Sequence, residues 1–257
     1  MLNVRSVSKV YAPPPRWLRP LVRSAVRSPV RAVNQVSFGV AAGEIVGLVG
    51  PNGAGKTTLL KMIATLLEPT SGQISVDGYD VLKDPLEVCR RLGLVLEGDQ
   101  GLYDRLTGVQ NLEFYGMMAG MPRRAARSRA RDLLARLGLH QHDKLVFGYS
   151  AGMRMRLSVC RALMADPPLI VLDEPTRSLD PLVSRFMQEM LRDLAAQGHA
   201  IVLSNHRLDE VVTTCDRIVA IIHGEVRFDG TADSLTGARN GASAALLDIM
   251  EREANVR

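Results

Sequence analysis

Ile45-Val46-Gly47-Leu48-Val49-Gly50-Pro51-Asn52-Gly53-Ala54-Gly55-Lys56-Thr57-Thr58, running on through a helical pattern to Leu67, decides how this chain folds. Ile45 to Val49 is an apolar run too short for a helix and suited to a strand buried on both faces. Glycines then punctuate Gly50 to Gly55, and from Lys56 to Leu67 the apolar residues recur at helical spacing. Strand, glycine loop and helix in that order make one β–α unit of an α/β fold. The loop matches G-x-x-x-x-G-K-[ST], in which glycines let backbone N–H groups close around phosphate oxygens and the helix start adds positive partial charge. In such a cradle Lys56 reaches the β- and γ-phosphates and Thr57 offers a hydroxyl to magnesium. Gly50, Pro51, Asn52, Gly53, Ala54, Gly55 and Thr58 complete it.

Outward from this unit, Leu169-Ile170-Val171-Leu172 is a second apolar run that suits a parallel strand, and it ends in Asp173 and Glu174. In an open α/β sheet, carboxylates at the C-terminal end of a strand stand beside the phosphate loop. Asp173 there fits a magnesium ligand, and Glu174 a general base for an attacking water.

Toward the N-terminus, residues 2–10 and Val33 to Val40 alternate as strands do, and residues 12–31 between them read as a basic, proline-rich insertion. Arg16, Arg19, Arg23 and Arg27 fall at helical spacing near Trp17, Leu18, Leu21, Val22 and Val26. The segment is either a short basic amphipathic helix over 17–28 or a solvated hairpin extension. Gln73 to Val76 and Val81 form a hairpin around Asp77-Gly78, followed by a helix Leu86 to Arg91 and a strand Leu92 to Leu96. Helical periodicity then takes over: Val109 to Met118, Arg123 to Leu137 ended by Gly138, and Ala151 to Met164. The last third alternates helix Pro181 to Gln197, strand Ala200 to Leu203, helix Leu208 to Cys215 and strand Ile218 to Ile222, with only a small helix, Ala242 to Glu253, after Gly230.

The 257 residues, 46% apolar and 23% charged, exclude wholesale disorder and a fibrous repeat. No uncharged apolar run approaches the roughly 18–20 residues a membrane span needs, and the N-terminus carries Arg5 and Lys9 instead of an apolar signal core. Cys89, Cys160 and Cys215 are odd in number and far apart, which argues against a disulfide framework and a zinc site and for a reducing cytosol. Net charge is +5, yet no acidic residue precedes Glu44 while seven basic ones do, so something anionic is expected to face that end.

Tyr149-Ser150-Ala151-Gly152-Met153, about twenty residues before Asp173, resembles the signature motif of ATP-binding-cassette (ABC) ATPases. Glu174-Pro175-Thr176 with Ser178-Leu179-Asp180 resembles their D-loop, His206 falls where the family keeps its switch histidine, and Tyr11 where an aromatic ring stacks on adenine. The resemblance spans about residues 1–235. It implies a RecA-like phosphate-loop α/β core (1–97 and 165–235) with an N-terminal antiparallel β subdomain, an inserted α-helical subdomain (98–164), and a short helical tail (236–257). It also implies that Lys56, Glu174 and His206 serve catalysis and that Thr57 and Asp173 hold Mg2+. Ser150 and Gly152 would bind the ATP of an opposite subunit, so that two chains, expected to be identical, sandwich two ATP molecules. Two departures stand out: Ala151 and Met153 replace the signature's usual glycine and glutamine, and Glu97 stands where the family has a metal-contacting glutamine. Either Glu97 takes that metal role or a shifted loop hands it to Gln100.

Three classes of function compete: the ATPase subunit of a membrane transporter with separate permease subunits, a soluble ABC ATPase of macromolecular assembly or nucleic acid, and an unrelated phosphate-loop kinase. The signature argues against the kinase. Single-cassette length and the lack of aromatic interleaving in the basic N-terminus argue against nucleic acid. The motif wording is similar to that of exporter ATPases with separate six-span permeases, which implies export and a cytoplasmic chain peripheral to the inner face of the membrane. The basic insertion would then lie on anionic headgroups or dock on the permease.

Overall fold

The computed structural model describes residues 1–13, 28–96, 101–140, 143–177, 179–236, 241 and 243–248. In chain order, the strands are β1 (Leu2–Tyr11), β2 (Val30–Val40), β3 (Ile45–Val49), β4 (Ser71–Val76), β5 (Tyr79–Asp80), β6 (Leu92–Val95), β7 (Leu169–Asp173), β8 (Ala200–Ser204), β9 (Arg217–Ile222) and β10 (Glu225–Gly230). The helices are α1 (Lys56–Ile63), α2 (Pro85–Arg90), α3 (Gly108–Met118), α4 (Arg123–Arg136), α5 (Ala151–Ala162), α6 (Pro181–Ala196), α7 (Leu208–Thr214) and α8 (Ala232–Thr236).

Among the described residues, the strands build an antiparallel sheet ordered β2-β1-β4-β5 and a six-stranded sheet ordered β10-β9-β3-β8-β7-β6. In the larger sheet β9, β3, β8, β7 and β6 run parallel, and β10 pairs antiparallel at one edge. β3, β7 and β8 are buried along their whole lengths, as their uninterrupted apolar sequences require. Their alternate side chains enter two separate cores. Val46, Leu48, Val171 and Val202 face α1 and the antiparallel sheet, whereas Ile45, Val49, Ile170, Leu172, Ile201 and Leu203 face the packed helices α3 to α7. The mixed α/β architecture is the one expected from the strand–loop–helix unit at residues 45–67.

Boundaries differ from the periodicity in physically explicable ways. α1 stops at Ile63 instead of Leu67, because Thr65 adopts a left-handed φ of 60° that helix geometry forbids. β2 begins at Val30 instead of Val33, since Val30 and Arg31 pair with Tyr11 and Val10 and extend the hairpin ladder. β10 was not expected. It pairs with β9 across a turn at His223-Gly224, and its alternating half-exposed residues are those of an edge strand. α8 likewise was not anticipated. Of the expected C-terminal helix, residues 243–248 are helical and Leu246 is fully buried in the larger core. The amphipathic reading of residues 17–28 falls almost wholly outside the described residues.

Leu60 of α1 is fully buried beneath the antiparallel sheet. Leu60→Ala is expected to lower the unfolding free energy by about 2–5 kcal/mol in urea denaturation, against less than about 0.5 kcal/mol for Leu182→Ala, which is 79% exposed. Burial pushes the thiols of Cys160 and Cys215 far up, disfavouring the reactive thiolate, while Cys89 is exposed. A thiol reagent at pH 8 should therefore label one cysteine in the native chain and three after denaturation.

Candidate functional site

The parallel register delivers the polar residues to one edge of the sheet. Leu48 and Asp173 both pair with Ser204, so the loops leaving β3, β7 and β8 are adjacent at their C-terminal ends. The chain runs from β3 out to β6 and back through β7 and β8, and only then crosses to β9 on the other side of β3. This reversal of strand order is where open α/β sheets bind ligands.

The loop after β3 is pinned from outside. Gly224 N–H donates to Ala54 O (3.1 Å), and Ala54 N–H donates to Pro51 O (3.1 Å). Gly55, the residue before α1, has φ 103°, and a Cβ there would lie 2.2 Å from Ala32 O. Only glycine fits that position. Lys56 folds back and donates to the carbonyls of Gly50 (2.6 Å) and Pro51 (3.2 Å). Burial lowers its pKa, and the nearby charges of Glu174 and Asp173 oppose that shift.

Across the loop, Thr57 Oγ1 donates to Asp173 Oδ2 (2.9 Å) and Ser204 Oγ to Asp173 Oδ1 (2.5 Å). Glu174 follows in a left-handed conformation, φ 53°, with its N–H donating to both Ser204 O (3.2 Å) and Ser204 Oγ (3.0 Å). Residues held in this sparsely populated region cluster at functional sites. The Glu174 side chain is 7% exposed, and its Oε2 lies 2.5 Å from Nδ1 of the half-exposed His206. A buried carboxylate paired with an imidazole is equipped to accept a proton from a water molecule and hold it.

The structure therefore brings Lys56, Thr57, Asp173, Glu174 and His206 together. A cleft of about 160 Å³ is lined by Asn52 to Thr58, Glu174, Arg177 and Ala32. Tyr11 stands beside it at the end of β1, its hydroxyl 3.4 Å from Thr58 Oγ1. Ser150 and Gly152 are not part of this cleft. Ser150 caps α5 by accepting from Met153 N–H (3.2 Å) and is exposed, while Gly152 packs where a Cβ would come within 3.1 Å of Val183. Glu97, Gln100 and Ser178 lie outside the described residues. No cluster of three or more His, Cys, Asp or Glu suited to a metal occurs among the described residues. Thr57 and Asp173, the metal partners expected from the sequence, touch each other at 2.9 Å.

Sequence reading overlooked the layer beneath. Thr176 Oγ1 donates to Glu210 Oε2 (2.5 Å), and Asn205 Nδ2 donates to both Thr176 Oγ1 (3.1 Å) and Glu210 Oε2 (3.0 Å). Arg207 pairs with Glu210 Oε1 at 2.5 Å, and its N–H donates to Asn205 Oδ1 (2.9 Å). This buried net ties the turn after Glu174 to the turn carrying His206. Its one visible signal was the polar run Ser204-Asn205 closing an apolar strand. Arg177 in the cleft was also unanticipated, because only the fold of the turn after Glu174 directs it there.

A parallel sheet with a glycine cradle at its order reversal, and two acids at the end of β7, one strand removed across β8, defines a phosphate-loop nucleotide-binding ATPase. Residues 33–177 match the family model described as ABC transporter. Over 80% of this chain and 84% of the relative, the sequence is 43% identical to the ABC transporter ATP-binding protein NatA of Bacillus subtilis (strain 168). It is 39% identical, over 87% of this chain and 70% of the relative, to the daunorubicin resistance ATP-binding protein DrrA3 of Streptomyces coeruleorubidus. A dimeric ATP-binding cassette solved in a post-hydrolysis state with ADP and Pi superposes with TM-score 0.77 at 26% identity, covering 90% of this chain and 98% of that one. The chain belongs to the ABC transporter family, as an ATP-binding subunit that hydrolyses ATP.

Thr176→Val removes both a donor and an acceptor from the buried net and leaves Asn205 and Glu210 underbonded. It is expected to cost about 1–3 kcal/mol of stability and to slow ATP turnover, while nucleotide binding, which the phosphate loop supplies, is retained. Thermal unfolding and steady-state ATPase assays, run together, check both.

Proposed function

We propose that this chain is the ATPase subunit of an exporter, working as a head-to-tail homodimer around two ATP molecules and driving separate membrane permease subunits. The observation that carries the reading is the pairing of Glu174 with His206 beside a loop in which Thr57 and Asp173 already touch. Backbone N–H groups of residues 52–58, with the ammonium of Lys56, hold the phosphates once Lys56 exchanges its loop carbonyls for phosphate oxygens. The hydroxyl of Thr57 and the carboxylate of Asp173 are hard oxygen donors, the set that suits Mg2+. When bound, the ion would neutralise charge on the phosphate oxygens. Ser204 aligns Asp173 through one hydrogen bond. Glu174 takes the proton of the attacking water, and His206 holds the Glu174 carboxylate in place and meets the terminal phosphate. Tyr11 offers its ring to the adenine.

Ser150 and Gly152 serve the partner chain's nucleotide. Their position outside their own chain's cleft supports this, as does the dimeric state of the related cassette bound to ADP and Pi. Export is supported by the drug-resistance relative, whose own name carries the cargo class. Among the described residues no helix is long and apolar enough to cross a membrane. In this reading the transport path is supplied by separate permease subunits. A groove of about 430 Å³ between the core (Leu66, Cys89, Leu94) and the helical region (Tyr115, Ala119, Arg161) is the proposed seat of that permease. In this arrangement residues 98–164 act as the moving subdomain and the rest as the nucleotide-binding core, with the chain peripheral to the cytoplasmic face.

Glu174→Gln keeps the shape of the site and removes the base. ATP turnover should fall by about 10²–10⁴-fold while ATP binding persists and an ATP-dependent dimer accumulates in light scattering. Unchanged turnover would remove Glu174 from the mechanism, and a variant that binds ATP but stays monomeric would remove the sandwich.

A further inference from the structure

α3 and α4 lie side by side so closely that a Cβ added at Gly116 would come within 2.8 Å of the Ala126 Cβ. α4 buries Ala126, Ala130, Leu133 and Leu134, and its opposite face carries Arg124, Arg127 and Arg131, one turn apart. Among the described residues Arg124 and Arg131 have no acidic partner. Arg123 and Arg127 reach back to the buried Glu113 of α3, at 2.5 and 3.8 Å. In α4 itself Asp132 is the one acidic residue against six arginines.

The neighbouring face of α3 is apolar yet exposed. Phe114, Met117 and Met118, spaced i, i+3, i+4, are 38%, 47% and 69% accessible. Residues Tyr115 and Ala119 of the same helix line the groove described above. Helical geometry therefore lays out one continuous band: groove, then Phe114 and Met118, then Met117, then the arginines.

We propose that this band is a membrane contact, in which Phe114, Met117 and Met118 enter the headgroup boundary of an anionic bilayer and Arg124, Arg127 and Arg131 engage its phosphates. Basic charge beside exposed apolar side chains is the two-part composition of an interfacial surface, each part weak alone. A purely acidic protein segment would satisfy the arginines and leave the apolar residues in water. The band adjoins the groove proposed for the permease, and its orientation rests on that reading. The contact itself requires no permease.

Flotation of the purified full chain with phosphatidylglycerol-containing vesicles, against vesicles of phosphatidylcholine alone, tests the proposal without ATP turnover as a readout, so its failure and that of the transporter reading are separable. The wild-type chain should float with the anionic vesicles and release at high salt. Arg124→Glu with Arg131→Glu should weaken binding about tenfold or more, and Met117→Ser with Met118→Ser by several-fold, both retaining binding of a fluorescent ATP analogue as proof of folding. Arg124→Gln with Arg131→Gln serves as the milder charge variant. A chain carrying Arg16→Ser, Arg19→Ser, Arg23→Ser and Arg27→Ser should keep the α4-dependent part. Wild-type binding by the α4 variants, complete loss in the 16/19/23/27 variant, or competition by polyglutamate with no effect of the methionine variant would each overturn the proposal, the last in favour of an acidic protein partner.

Discussion

The strands β3, β7 and β8 are buried on both faces, and that constraint governs the rest of the molecule. A strand without an exposed face has no place for a charged side chain until it ends. Asp173, Glu174, Ser204, Asn205 and the phosphate loop therefore all emerge at one edge, where the parallel register sets them next to one another. Chemistry is concentrated there because the strand interiors exclude it.

Concentrating charge in a nearly buried place creates its own demand. Asp173, Glu174 and Lys56 are at most 7% exposed, and each is met by specific partners: Thr57 and Ser204 for Asp173, His206 for Glu174, loop carbonyls for Lys56. Burial lowers the Lys56 pKa, and the charges of Glu174 and Asp173 oppose that shift. Below them the Thr176–Asn205–Glu210 net joins the turns after β7 and β8, which carry Glu174 and His206, into one hydrogen-bonded unit.

The faces away from this edge carry the proposed partner surfaces. The groove beside Tyr115 and the exposed α3–α4 band lie on the helices that pack against one core, while α1 and the antiparallel sheet fill the other. The site edge and these helices are thus joined through a single sheet, so the strand that delivers Glu174 also packs against the helices.

Much of this was legible in the residues. The apolar runs at 45–49 and 169–172, the glycine loop and the acids after Leu172 are local signals, and each element they imply is present because backbone geometry and two-sided burial leave few alternatives. Thr65, where a left-handed backbone ends α1 early, and β10, whose half-polar strand needs β9 to exist, were not legible, since each depends on neighbours distant in sequence. The same division holds for the site. Sequence by itself determined which residue types stand ready for phosphate, metal and proton. Tertiary structure alone decided that Glu174 meets His206, 32 positions away, and that Thr57 meets Asp173, 116 away, because strand order and register, set by long-range packing, choose the partners.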